Sequence, residues 1–452
     1  MNLVLSVLGG LCRKNIRYDR GPGKIFEMVR RFGFTSPVIA FLLAGAANPI
    51  AAQSQQSGAV TVSQAVQEAV EKNLNLLAER YNVSIAEAKI VTARIRPNPT
   101  LTLYSDLLPL SKGSTDQNPT GPPEYGIRTE WTIERGGKRN RRIDVAENAR
   151  RVTQWRLLNA ARTLALDVRN AFVDTLLAKE NLALAQDNLK SFNQIMEVNK
   201  VRVAAGDLAA VELRRTQLAD LQLRNAALQA RMKLRLAKER LQLLMGRAVP
   251  AVDFDVIDAP RRDPPPASMD DVERLALDSR PDLQALRCDR ERSEAEIRLQ
   301  IAQGKVDYTV AAEYRRQQGL QGRGNSVGFF FSVPLPVFDR NRGEIERAVL
   351  ELGRLDARIA AMEAEIRNEA HNAWRQYETA RALLADIEND MLKQSRQVLG
   401  TMEFSYRRGD ASFVDFIEAQ RACNSALQSY NEARAEYARS LYLIDSTIGK
   451  AP

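Results

Sequence analysis

The sequence predicts a mainly α protein with a small β part, built from one unit written twice: helix–strand–strand–long helix–tip–helix. Three observations carry this. Apolar heptads run unbroken for tens of residues. Four short segments alternate apolar and polar residues instead. And "VRVAAGDLAAVELRRTQL" (201–218) returns as "FSYRRGDASFVDFIEAQR" (404–421). Between the two, Gly206-Asp207 matches Gly409-Asp410, Val211 matches Val414, Glu212 matches Asp415 and Gln217 matches Gln420.

The chain opens on an export segment. "MVRRFGFTSPVIAFLLAGAANPIAAQ" (28–53) has two arginines, an apolar run, then small residues suited to cleavage near Ala52. The 27 residues before it lack that order, which makes Met28 the expected start and Gln53 the first mature residue. Cys12 follows a leucine rather than a small residue, so it does not read as a lipid anchor. Of the net charge of +9, residues 1–52 carry +5: seven Lys/Arg against Asp19 and Glu27. The remaining arginines alternate with acids along helices, the pattern of a solvated helix face and not of a nucleic-acid footprint. Cys288 and Cys423 are too few for a disulfide framework and are expected to pack as small apolar groups. No stretch after the export segment has eighteen consecutive apolar residues, so no membrane-spanning helix is expected there.

Beyond residue 60, heptads dominate. Ala161, Val168, Thr175, Leu182, Leu189 and Met196 recur every seven residues, as do Leu352, Ile359, Ile366, Ala373, Ala380 and Ile387. Sustained heptads mean coiled-coil packing. Residues 138–203 contain neither proline nor glycine, and at 1.5 Å per residue this rod spans roughly 100 Å. Gly206 and Gly409 stop the two rods, because glycine suits the left-handed position after a helix. Asp207 and Asp410 are placed to help start the returning helices. Each Gly-Asp corner is thus the tip of a helical hairpin.

Four segments read as strands. In 124–134, Tyr125, Ile127, Thr129, Trp131 and Ile133 alternate with Gly126, Arg128, Glu130 and Thr132; in 326–334, Val327, Phe329, Phe331 and Val333 alternate with Ser326, Gly328, Phe330 and Ser332. Residues 100–107 and 307–315 are similar, and polar Gly/Pro-rich stretches join each pair, 109–124 in the first hairpin and 316–325 in the second. Such hairpins fit a half-buried soluble sheet. With an export segment and long rods in the same chain, they fit an outer-membrane barrel better, since tilted strands of nine to eleven residues cross a bilayer. On that reading Tyr125, Ile127, Trp131, Ile133, Val327, Phe329, Phe331 and Val333 face lipid. Arg128, Glu130, Glu313 and Arg315 then line the pore, although such charges also fit plain solvated positions.

Prolines mark the junctions, in "RPNP" (96–99) and "PLP" (334–336), because proline neither continues a helix nor donates within a sheet. "RGGKRNRR" and "FDRNRGE" then open the long helices. The expected division is an extension and signal peptide (1–52), a first repeat (60–246), a proline-rich linker (247–267) and a second repeat (268–450). Four strands cannot close a barrel, and an open edge in lipid is not viable. Two copies would give eight strands, whose interior side chains fill; a conduit therefore needs at least three.

On the GGKR and FDRN helix starts, the paired Gly-Asp tips, "SRPDLQAL" (279–286) and the hairpin pairs, the chain resembles the TolC-type outer-membrane efflux family over nearly all of 60–450. Through "ERGGKRNRRI" and "VPLPVFDRNRGEI" it is most similar to the outer-membrane subunits of heavy-metal (cobalt–zinc–cadmium type) resistance pumps. The resemblance implies a homotrimer with a 12-stranded outer-membrane β-barrel and a periplasmic α-helical tunnel. Its implied partners are outer-membrane lipid, a periplasmic adaptor (membrane fusion) protein and an inner-membrane transporter. The lipidated N-terminal cysteine common among drug-exporting relatives is missing. A duct for drugs or secreted protein is the alternative within the family; a periplasmic coiled-coil adaptor or structural rod is the alternative of another class.

No residue set suggests catalysis or a cofactor. His371 is the single histidine, placed as a surface or packing residue on a heptad helix. No Cys/His cluster suits a soft metal, and no glycine-rich loop suits a phosphate. At the tips, Glu403, Arg407, Arg408 and Asp410 lie about one helical turn apart. Where copies converge they can form a closing network; capping and solvation account for them equally. Asp207 and Glu212 give the first tip a weaker version.

Overall fold

The structure, a computed structural model, describes residues 59–106, 108, 123–265, 268–319 and 322–450. The expected start at Met28, the export segment ending near Ala52, Cys12, Gln53 and the first hairpin loop (109–122) lie outside the described residues.

The first half contains α1 (Val62–Lys72), α2 (Leu74–Arg94), β1 (Thr100–Asp106), β2 (Glu124–Ile133), α3 (Lys138–Ala204) and α4 (Ala210–Leu244). The second contains α5 (Met269–Ser279), α6 (Pro281–Gln303), β3 (Tyr308–Gly319), β4 (Gly322–Ser332), α7 (Arg342–Asp386), a π-turn (Ile387–Met391), α8 (Leu392–Arg408) and α9 (Phe413–Thr447). The rods match in length. α3 has 67 residues; α7, the π-turn and α8 have 45, 5 and 17, together the same 67. The returning helices α4 and α9 have 35 each. At 1.5 Å per residue each tip stands roughly 100 Å from the sheet.

The single leading helix expected in each repeat is broken in two. Asn73 (ψ 124°) separates α1 from α2, and Arg280 (ψ 125°) separates α5 from α6. Both breaks exist because another helix end lands on them. Gly246, just past α4, lies so close that a Cβ would sit 2.5 Å from the Lys72 carbonyl oxygen; at Gly449, past α9, it would sit 2.9 Å from that of Ser279. Asn73 Nδ2 also donates to the Leu244 carbonyl at 2.9 Å. The same joint is therefore made in both repeats, and each break also has a local mark: Asn73 Oδ1 accepts from the Asn75 and Leu76 N–H groups, and Pro281 opens α6.

The seam of α7 follows the expected heptad through Ile366, Ala370, Ala373, Tyr377, Ala380, Leu384 and Ile387, all buried. It then shifts by one. Leu392 and Tyr406 are buried, whereas Met391 (42% exposed) and Val398 (48%), which an unbroken heptad would turn inward, are not. The π-turn holds the extra residue, and one residue is about 100° of helix rotation. It thereby sets which side chains the second tip presents to the first.

Small and aromatic residues share the core. Ala165, Val168, Phe172 and Leu176 of α3 pack with Ala65, Val66 and Ala69 of α1 and with Leu241 and Met245. Tyr377, Ala380, Leu384 and Ile387 pack with Ala426, Ala433, Tyr437 and Leu441 of α9. The proline-rich segment between the repeats is docked. Phe254 and Val256 are buried in the first cluster, and Val256 bridges to Val60 in parallel. Arg261 pairs with Asp445 and Asp263, and Arg262 donates to Glu388 at 2.8 Å.

The four strands form one antiparallel sheet in the order β1-β2-β3-β4. β2 and β3 pair across the two repeats, Ile133 opposite Tyr308 and Tyr125 opposite Arg316. This leaves β1 and β4 as the outer strands. The second hairpin is longer than its side chains suggested: most of the expected loop, "RQQGLQGRGN", continues the β3–β4 ladder to Gly319 opposite Gly322. Main-chain hydrogen bonds hold a two-stranded ribbon whatever its side chains, so the polar residues there mark a change of surroundings and not the end of the strand.

Candidate functional site

The register sorts the sheet into two faces. Ile127 lies between Leu103 and Tyr314, Tyr314 opposite Val327, Ala312 opposite Phe329, and Val310 between Trp131 and Phe331. Tyr125, Ile127, Trp131, Ile133, Val327, Phe329 and Phe331 therefore share one face, all well exposed. Phe329 is 83% exposed. Val333 lies one residue beyond β4 and is half-buried, so the apolar face ends at Phe331.

The other face is ionic. Arg128 lies opposite Glu313, Gly126 opposite Arg315, and Glu130 opposite Ala311. Arg128 pairs with Glu130 at 2.7 Å, and Arg315 lies 3.5 Å from Glu313. All four predicted charges are thus brought together. Sequence reasoning missed Tyr104, which joins them: its hydroxyl donates to Glu313 Oε1 at 2.6 Å and accepts from Arg315 Nε at 2.9 Å. The space it fills is left by Gly126, whose missing Cβ would lie 2.2 Å from the Tyr104 ring. Phe330 is the apolar exception on this face, and the Arg128 guanidinium sits 4.6 Å above its ring.

At the tips, Gly206 (φ +83°) and Gly409 (φ +87°) take the expected left-handed turn. The aspartates do something else. The Asp207 N–H donates to the Arg202 carbonyl and the Asp410 N–H to that of Ser405, both at 2.9 Å, which closes the old helix. The new helices start later: α4 from Ala209 without a side-chain cap, α9 from Ser412 in a capping box with Asp415. A Schellman turn consumes the residue after glycine, so it is not free to cap the next helix.

Glu403 and Arg407 pair at 2.6 Å within α8, while Arg408 instead covers the Phe404 ring at 4.5 Å. The Asp410 carboxylate has no partner among the described residues. Closer contact between the two tips runs through residues not singled out by sequence. Tyr406 Oη donates to Asn199 Oδ1 at 2.6 Å, and Asn199 Nδ2 donates to Thr216 Oγ1 at 3.0 Å. Phe192, Ile195, Tyr406, Phe413 and Phe416 enclose the chain of bonds. Burial pushes the Tyr406 phenol above its ordinary pKa, more than the Asn199 bond and the Arg202 charge lower it, so the hydroxyl stays a donor. An aromatic at 406 opposite a buried amide at 199 could be read only with the π-turn in hand.

His371 Nε2 lies 3.2 Å from Glu273 on a partly exposed helix face, and Cys288 and Cys423 are buried free thiols.

An antiparallel sheet with one apolar and one ionic face, carried on paired helical rods about 100 Å long, defines an outer-membrane channel subunit that reaches into the periplasm. The family model described as outer membrane efflux protein matches residues 65–247 and 273–450, and the chain belongs to that family. It is 25% identical over 399 residues to the cobalt-zinc-cadmium resistance protein CzcC of Cupriavidus metallidurans, covering 88% of this chain and 91% of that one. It is 23% identical over 411 residues to nodulation protein T of Rhizobium leguminosarum bv. trifolii, covering 85% and 84%. Among solved structures, the outer-membrane channel OprN matches with a TM-score of 0.70 at 18% identity, covering 86% of this chain and 89% of OprN. The protein is an outer-membrane efflux channel and not an enzyme.

Proposed function

We propose that three copies of the chain form a passive duct for heavy-metal cations, fed by a periplasmic adaptor and an inner-membrane transporter. The observation that carries the duct is the sheet: two unpaired outer strands, one apolar face and one ionic face in a single chain. Three such sheets make twelve strands, enough for an open lumen, and remove every edge. Arg128, Glu130, Glu313 and Arg315 then face water in the pore, and the apolar face from Tyr125 to Phe331 faces lipid. The chain reads as repeats 60–246 and 268–450 joined by 247–267, after residues 1–52, an extension and a signal peptide whose translation starts at Met28. The cargo reading rests on the similarity to the cobalt-zinc-cadmium resistance protein.

A duct for metal has no need to hold it. Expression in a metal-sensitive host with a matching pump and adaptor is expected to restore growth on cobalt, zinc or cadmium. Restored resistance to drugs and none to these metals would favour the alternative cargo. Calorimetry on the purified protein is expected to show no stoichiometric submicromolar site for these ions.

The tips are the proposed entrance, with Gly206, Asp207, Gly409 and Asp410 at the corners and Glu403, Arg407 and Arg408 around them. The Tyr406–Asn199–Thr216 chain locks the second tip to the first. Tyr406→Phe leaves the buried Asn199 oxygen unsatisfied, at a cost of about 1–3 kcal/mol. Single-channel conductance in planar bilayers is expected to rise in this variant. Wild-type conductance would take the lock out of the entrance.

A further inference from the structure

We infer that the periplasmic end of the sheet carries a binding surface for an anionic phospholipid headgroup, centred on Arg135, Lys305 and Arg340. This rests on the reading of the apolar sheet face as lipid-facing. The three cations stand on three separate turns that meet where α6 ends. A Cβ on Gly136 would lie 2.9 Å from Lys305 Cδ and 3.3 Å from the Ala302 carbonyl oxygen, and one on Gly304 would lie 2.8 Å from the Arg340 carbonyl oxygen. The α6–β3 turn therefore touches both the β2–α3 turn and the β4–α7 turn.

Two neighbouring cations are neutralised, while Arg139 beside them donates to the Arg94 carbonyl. Lys138 pairs with Asp307 at 2.8 Å, and Arg142 pairs with Glu134. The side chains of Arg135, Lys305 and Arg340 have no carboxylate partner among the described residues, although the Arg135 backbone N–H donates to Asp307 at 2.8 Å; Arg340 Nε donates only to the Pro336 carbonyl, at 3.2 Å. Asp339, the nearest acid in sequence, accepts the Asn341 N–H at 2.8 Å.

The surroundings are those of a membrane boundary. The Arg135 guanidinium lies 4.5 Å above the Tyr308 ring, and Tyr308 is 5.3 Å from Phe331, both on the apolar face. Tyrosine and tryptophan gather at headgroup depth in membrane proteins, and Trp131 stands one pair further along the same face. Beside Arg340, Leu335 is 78% exposed and Phe338 is fully exposed. Apolar groups that dip below the headgroups, with unpaired cations at phosphate height, match an anionic lipid in both chemistry and depth. A second protein would have to bring carboxylates to the same height, where the outward neighbour of the sheet is lipid.

Trp131 makes a built-in reporter. The other two tryptophans, Trp155 and Trp374, lie on the helical rods, so acyl-chain-brominated lipids quench Trp131 selectively. The full chain is reconstituted in phosphatidylcholine vesicles containing either brominated phosphatidylglycerol or brominated phosphatidylcholine at equal fraction. We expect phosphatidylglycerol to be preferred about tenfold around Trp131, the preference falling with salt. The triple variant Arg135→Gln, Lys305→Gln, Arg340→Gln is expected to lose the preference yet keep its quenching by brominated phosphatidylcholine, which shows that it still inserts. Equal quenching by the two lipids in the wild type, or an unchanged preference in the triple variant, overturns the site and leaves the duct standing. No quenching by either lipid overturns both.

Discussion

Phe329→Arg is expected to leave the chain exported but absent from the outer membrane. Phe329 is the most exposed aromatic of the apolar face and lies opposite Ala312, between the Val310–Phe331 and Tyr314–Val327 pairs of the same face. An arginine facing lipid near the bilayer midplane costs about 2–4 kcal/mol, and the proposed assembly incurs that cost three times. Thr102→Arg is the matched control. It sits on the ionic face opposite Arg128, where an added charge meets water and not lipid, and it is expected to insert like the wild type. Fractionation and flotation with lipid read the outcome. If Phe329→Arg floats and Thr102→Arg does not, the two faces have been assigned the wrong way round.

The second large effect is expected at Gly246. Its φ of +82° disfavours any side chain, and a Cβ there would lie 2.5 Å from the Lys72 carbonyl oxygen and 2.9 Å from the Asn73 nitrogen. All are backbone atoms and cannot swing away. Strain and overpacking together put Gly246→Val at about 3 kcal/mol or more. The melting temperature is expected to fall sharply, with protease cutting near the α1–α2 break. Gly206→Val makes the comparison sharp. Gly206 has almost the same φ, +83°, but open space around it. It carries only the left-handed backbone cost of about 1–2 kcal/mol and is expected to impair the tip without unfolding the joint. Equal losses at the two glycines would mean that backbone conformation alone sets the cost and that the close approach adds nothing.

These glycines also show how far the sequence could be read. A glycine that ends a heptad rod has a local cause, left-handed backbone, so Gly206 and Gly409 were legible as tips. The two faces of the sheet were legible too, because alternation along one strand fixes the face of every residue in it. Contacts between distant segments were not. Asn73 has the letters of a helix cap, and its Oδ1 accepts from the Asn75 and Leu76 N–H groups, but the contact that lands on the break comes from Gly246, more than a hundred residues away. Tyr104 looked like one more strand residue until Gly126, Glu313 and Arg315 were placed around it. The aspartates after the tip glycines were misread because a turn-ending backbone hydrogen bond and a helix-starting side chain leave the same letters. The π-turn is the clearest case. "IENDM" carries no proline or glycine, yet its extra residue decides that Tyr406, and not Ser405, meets Asn199.

Barrel closure is the claim on which the duct depends, and the mass of the folded, unheated assembly in mild detergent tests it most directly. With β1 and β4 unpaired at the edges of every chain, a complex of three chains is expected, dissociating to single chains on heating. Cross-linking is expected to stop at three, with cysteines introduced on β1 and β4 joining one chain to the next. A stable folded monomer, or an assembly that stops at two, would contradict a twelve-stranded pore.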